Sequence, residues 1–66
     1  MGVNDRERLE AFEAFARDVR DELEQTNARM EELRVAGRVK TATYRQLFAL
    51  RMTLKDIDRR LEEHGL

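Results

Sequence analysis

The chain has 66 residues, of which 41% are charged, and its formal net charge is −1. A chain of this length forms at most one small domain, and the absence of cysteine excludes a disulfide-stabilised scaffold. No apolar run approaches the about 20 residues that cross a bilayer, and residues 1–8 contain no apolar signal segment. We therefore expect a cytoplasmic protein without membrane contacts that gains stability by forming an oligomer.

Apolar residues recur at heptad spacing along the first half of the chain and predict a helix over about residues 5–36. Asn4 is the predicted N-cap, because Glu7 follows it at the spacing of a capping box. Thr26 is the polar interruption of the repeat, where it is expected to cost stability and to fix the register of the pairing helix. The a and d positions of the repeat are occupied by Leu9, Phe12, Ala16, Val19, Leu23, Thr26, Met30 and Leu33.

A glycine separates this repeat from a second one. Gly37 is suited to the left-handed conformation that closes many helices, so the sequence predicts a turn over about residues 37–42. Thr43 is the predicted N-cap of the next helix, because Gln46 lies three residues further on, and Thr41 is an alternative cap. The chain therefore doubles back at its middle.

The second repeat predicts a helix over about residues 43–64, which Gly65 ends. Its seam consists of Leu47, Leu50, Leu54, Ile57 and Leu61. A short connection makes consecutive helices antiparallel, so we predict an all-α fold in which residues 1–66 form a single antiparallel helical hairpin. Residues whose numbers sum to about 75 are expected to face one another. Two copies are expected to associate into a four-helix bundle.

Two sets of apolar residues lie outside the pairing seam or widen it. Phe12 and Phe15 form a block that a single facing helix covers incompletely, and Tyr44, Phe48 and Met52 form a second stripe at i, i+4 spacing. A lone hairpin would leave the second stripe in water. We interpret these residues as the inter-subunit core of a homodimer, and the alternative is a groove for a helix of a partner protein.

Acidic residues are frequent in the first helix, but most have a basic residue three or four positions away. Such pairs, for example Arg6 with Glu10 and Arg20 with Glu24, are ordinary on helix surfaces. The sequence has no nucleophile with an adjacent base, no glycine-rich phosphate loop and no metal-ligand spacing around its one histidine, His64. We therefore expect no catalytic residues, no cofactor and no metal, and hence not an enzyme.

The middle of the chain is basic, because no acidic residue occurs between Glu32 and Asp56. A cluster of cations at one end of a helix pair can neutralise phosphates, which makes RNA or DNA binding an alternative function. The sequence pI of about 5.8 favours the simpler view of a solvated basic face that meets an acidic helix. The function predicted first is a helical interaction module that self-associates and binds a partner protein. The residues expected to contact an anion are Arg38, Lys40, Arg45 and Arg51.

Overall fold

The computed structural model describes residues 4–66 and contains two helices, α1 (Asp5–Val35) and α2 (Ala42–Glu63). They pack against each other as an antiparallel hairpin with dimensions of 50 × 19 × 18 Å. The predicted all-α hairpin is confirmed, and each predicted helix boundary lies within one residue of the observed one. We call the end that contains the turn the closed end, and the end that contains both termini the open end.

The closed end begins with the C-terminus of α1. Gly37 has a φ of 72°, and the amide of Arg38 donates a 2.8 Å hydrogen bond to the carbonyl of Leu33. This is the Schellman pattern, in which a left-handed residue lets the backbone satisfy the last helical carbonyls. The predicted N-cap at the other end of α1 is confirmed, because Asn4 Oδ1 accepts a 2.8 Å hydrogen bond from the amide of Glu7.

The N-cap of α2 lies two residues before the cap that was predicted first. Thr41 is the N-cap: its hydroxyl oxygen accepts a 3.2 Å hydrogen bond from the amide of Tyr44, and its hydroxyl donates to the carbonyl of Arg38. Thr43, the cap that the Gln46 spacing favoured, lies inside the helix. Thr41 is the better cap because its extended backbone and its bond to the turn hold it in place at the same time.

The core between the helices is small. Its buried side chains are Ala16, Val19, Thr26, Met30, Leu33 and Leu54. Four predicted seam residues of α2 are only half-buried, namely Leu47, Leu50, Ile57 and Leu61. Leu9 and Phe12, which the repeat also assigns to the core, are exposed near the open end. The heptad phase is therefore correct, but one neighbouring helix covers the seam incompletely.

Thr26 is buried without a polar contact to α2. Its hydroxyl donates a 2.8 Å hydrogen bond to the carbonyl of Glu22, one turn earlier in the same helix. The polar group is thus satisfied inside α1, as is common for threonine within helices. Because the hydroxyl bonds within its own helix, it does not fix the register of α2 as the sequence suggested.

The cross-helix register is marked by an ion pair between Arg20 and Asp58. Arg20 Nε lies 2.7 Å from Asp58 Oδ1, and both side chains are partly buried. The sequence had paired Arg20 with Glu24 on the same helix, so that prediction is wrong. Folding brings Asp58 to the flank of α1, where it offers Arg20 a less exposed partner than a neighbour on the helix surface.

The first turns of α1 extend beyond the end of α2. The helices have 31 and 22 residues, so at a rise of 1.5 Å per residue α1 is longer by about 13 Å. Gly65, with a φ of 84°, ends α2 as predicted, and the amide of Leu66 donates to the carbonyl of Leu61. The open end therefore carries an overhang of α1 that has no facing helix.

Ion pairs along each helix lower the pKa of two carboxyl groups, those of Glu31 and Asp56. Asp56 accepts hydrogen bonds from Arg59 Nη2 at 2.6 Å and from Arg60 Nε at 3.1 Å, and chiefly the Arg59 bond lowers the pKa of Asp56. The hydrogen bond from Arg34 lowers the pKa of Glu31 in the same way. These groups are at the surface, where solvent weakens each pair.

We expect these pairs to make the stability of the hairpin fall in acid. A carboxyl group whose pKa is lower in the folded chain stabilises the fold above its unfolded pKa, and the stabilisation is lost as the pH falls through the folded pKa. Asp56→Asn should therefore lower the thermal midpoint at neutral pH and reduce its change below about pH 4, measured by circular dichroism. Glu62→Gln is the control, since Glu62 forms no salt bridge within residues 4–66. An unchanged pH profile for Asp56→Asn would contradict the assignment.

Candidate functional site

An apolar groove lies at the open end of the hairpin. Phe12 and Phe15 form its α1 side and are 54% and 48% exposed, and Ile57 and Leu61 form its α2 side. The rim is completed by Arg60, His64 and Leu66. The groove has a volume of about 400 Å³, within the about 300–1,000 Å³ of typical binding pockets. Its wall is suited to apolar side chains of another helix.

Tyr44 and Phe48 lie on the other flank of α2. Asp58 marks this flank, because its carboxylate meets Arg20 of α1. Tyr44 and Arg51 precede Asp58 at seven-residue intervals, which return to nearly the same side of a helix. Phe48 lies beside them, with its ring centroid 5.0 Å from the guanidinium carbon of Arg51. The two predicted apolar sets are therefore on opposite flanks of the hairpin.

We name these two sides of the molecule by their composition. Leu50 shares a side with Ile57 because it precedes it by seven residues, while Met52 and Lys55 follow Phe48 and Arg51 by four. The apolar face consists of Phe12, Phe15, Leu50, Ile57 and Leu61. The cationic face consists of Tyr44, Arg45, Phe48, Arg51, Met52 and Lys55. One interface with a single partner surface cannot include both faces.

The predicted anion-contacting residues are distributed along the closed end and the cationic face. Arg38 and Lys40 lie in the turn, and Arg45 lies in the first turn of α2. Among residues 4–66, no carboxylate oxygen lies within 4.0 Å of the charged groups of these three. Arg34 is different, because its hydrogen bond to Glu31 neutralises it locally and raises its pKa. The closed end therefore keeps several cations without an ion-pair partner from the described chain.

Arg51 is less exposed than Arg38, Lys40 and Arg45. It is half-buried, and its guanidinium lies over the ring of Phe48 in a cation–π arrangement. Its Nε is buried and has no hydrogen-bond acceptor within the part of the chain that the structure describes. Arg51 as a whole is only half-buried, so its outer guanidinium nitrogens can donate to a carboxylate supplied from outside.

His64 forms a contact with the backbone of its own helix and is not part of a group of metal-binding side chains among residues 4–66. Its Nδ1 lies 2.8 Å from the carbonyl oxygen of Arg60, one turn earlier in α2. Residues 4–66 contain no group of three or more His, Cys, Asp or Glu side chains arranged to hold a metal. Neither helix in this range combines the length and apolar character that would let it cross a bilayer.

Comparison of the chain with protein-family models, curated proteins and solved structures gave no match. The two faces of the hairpin are therefore the candidate sites. Sequence reasoning named most of their apolar residues but missed Lys55 on the cationic face and Arg60 at the groove rim. Helical spacing carries the missing signal, since Lys55 lies four residues after Arg51 and Arg60 lies three after Ile57.

Proposed function

We propose that the protein is a small, non-catalytic, cytoplasmic interaction module that forms a homodimer through its apolar face and binds a partner protein. In the dimer, two hairpins place their apolar faces together as a four-helix bundle. The groove lined by Phe12, Phe15 and Leu61 then becomes part of the core between the subunits. This arrangement supplies the second layer of helices that the half-buried seam of α2 lacks.

The extent of the exposed surface is the observation that carries this proposal. A globular monomer of 7.8 kDa exposes about 4,400 Å², whereas this chain exposes 5429 Å². The Cα radius of gyration is 15.4 Å, compared with about 11 Å for a compact domain of this length. The surplus surface, about 1,000 Å², is similar to the roughly 800 Å² that each partner buries in a standard interface.

Charge decides which of the two faces suits a second copy. A two-fold dimer places the same surface patch of both subunits in contact. Pairing of the cationic face with itself would therefore bring Arg45, Arg51 and Lys55 close to their own equivalents, and like charges oppose association. The apolar face has phenylalanine, leucine and isoleucine at its centre, and Arg60 at its rim is already paired with Asp56.

The molar mass in solution tests the dimer. We expect light scattering at micromolar to millimolar concentration to give a mass of twice 7.8 kDa, with dissociation on dilution. The dimer is expected to resist added salt, because apolar contacts are not screened. A mass of 7.8 kDa at every concentration would overturn the proposal, and so would a dimer that salt dissociates.

A further inference from the structure

We propose that the cationic face binds an acidic amphipathic helix of a partner protein, in which Asp or Glu residues flank an apolar stripe. The inference rests on the proposed role as an interaction module and names the chemistry of the partner. It is independent of the dimer contact, because the cationic face lies on the flank of α2 that points away from the apolar face.

The centre of the cationic face is an apolar stripe of helical spacing. Phe48 and Met52 are 46% and 53% exposed, and Tyr44 is half-buried beside them. From Tyr44 to Met52 the stripe covers about 12 Å, or slightly more than two helical turns. Aromatic and methionine side chains are enriched at the centres of protein interfaces, and an amphipathic helix presents a matching stripe at i, i+3 and i+4.

Unpaired cations flank this stripe. Arg45 and Lys55 have no carboxylate within 4.0 Å among residues 4–66, and neither has Arg51. Arg59, one turn beyond Lys55, shows the contrast, because it is bonded to both Asp56 and Glu63. An acidic helix on this face would therefore meet cations that no acidic group of residues 4–66 already occupies.

Arg51 provides the most specific contact point. Its guanidinium lies 5.0 Å from the centroid of Phe48, and the planar fork of an arginine loses less freedom per hydrogen bond than a lysine does. Its Nε is buried, so a carboxylate of the partner would bond to the two outer guanidinium nitrogens beside Phe48. The apolar and ionic contacts would thus form side by side, as an acidic amphipathic helix requires.

Other occupants fit this face less well. A second copy offers the acidic residues of α1, but the large apolar residues exposed beside them, such as Phe12 and Phe15, belong to the apolar face that the proposed dimer covers. A nucleic acid would be attracted by the cations but repelled by the acidic α1, and a chain with a pI of about 5.8 gives little net attraction for phosphates. The combination of stripe and cations favours the acidic helix.

The test uses the full chain and a synthetic helix with Leu at heptad positions a and d and Glu at e and g. Repulsion between the Glu residues keeps this probe from pairing with itself. We expect the probe to bind in a fluorescence anisotropy titration, and Arg51→Gln and Phe48→Ala each to weaken binding about tenfold or more. Arg17→Gln and Val35→Ala are the controls, because they remove a cation and an apolar side chain outside this face and should leave binding unchanged.

Two further probes decide between the occupants. A peptide of the same composition with its Leu residues dispersed should bind at least about tenfold more weakly, since it lacks the stripe. Single-stranded RNA should not compete with the helical probe. Absence of probe binding, equal binding of the dispersed peptide, insensitivity to Arg51→Gln or Phe48→Ala, or displacement by RNA would each overturn the inference. The mass of every variant is measured in parallel, so loss of probe binding with an intact dimer leaves the proposed self-association standing.

Discussion

Leu54→Asp is expected to unfold the hairpin. Leu54 is the one residue of α2 that is buried in the core, with 4% of its surface exposed. An unpaired carboxylate at this position would cost about 3 kcal/mol or more. A domain of this size has a total stability of only about 3–5 kcal/mol from its core, so this single change is sufficient. Circular dichroism at neutral pH should show the loss of most of the helical signal.

Met52→Asp is the matched control for this experiment. It places the same charge on the same helix, but at a side chain that is 53% exposed. Helicity should therefore be close to that of the parent chain. The core assignment fails if Leu54→Asp keeps its helical signal, or if Met52→Asp loses as much. Leu50, like Leu54, occupies a core position of the heptad, but it is only half-buried. We therefore expect Leu50→Asp to lose less of the helical signal than Leu54→Asp.

Phe15→Glu is expected to convert the proposed dimer to a monomer without unfolding the hairpin. Phe15 is already 48% exposed in the single hairpin, so its removal takes little from the core between α1 and α2. In the proposed dimer its position is enclosed, and an unpaired carboxylate there would cost about 3 kcal/mol or more. The dissociation constant should rise by at least about a hundredfold, as sedimentation or light scattering would detect.

Phe48→Glu separates this effect from a general consequence of adding charge. Phe48 is 46% exposed and also aromatic, but it lies on the cationic face. The proposal therefore requires the mass of Phe48→Glu to remain that of the dimer. If Phe48→Glu dissociates the protein and Phe15→Glu does not, the two copies meet through the cationic face instead.

The fold could be predicted from the sequence because the heptad spacing of the apolar residues and the positions of the capping residues and the glycine indicate the same two helices. The heptad gave the helices and their buried sides, and Gly37 gave the turn. The sequence does not decide the cap of α2, because Thr41 and Thr43 are chemically equivalent and only the backbone conformation of the turn distinguishes them. Arg20 shows the same limit, since its bond to Asp58 exists only after the helices are in register.

The division of the surface into two faces could have been read from heptad positions, although apolar content alone did not indicate it. With Leu9 and Leu47 at position a, Phe15 is at g, whereas Arg20 and Asp58 are both at e. In an antiparallel pair, positions e and g lie on opposite flanks of the seam. The identity of a partner cannot be predicted in this way, because it depends on the chemistry of another molecule. This sequence contains only the surface to which that molecule would be complementary.

The two ends of the hairpin differ in how many contacts hold the helices together. At the closed end, the bond from Arg38 to Leu33 and the capping bonds of Thr41 join α1, the turn and α2 into one hydrogen-bonded unit. At the open end, the overhang near Leu9 faces no other helix among residues 4–66. We therefore expect local unfolding to start at the open end and to proceed toward the turn. Such fraying would expose Phe12 and Phe15 further, so the proposed association of a second copy would also stabilise the weaker end.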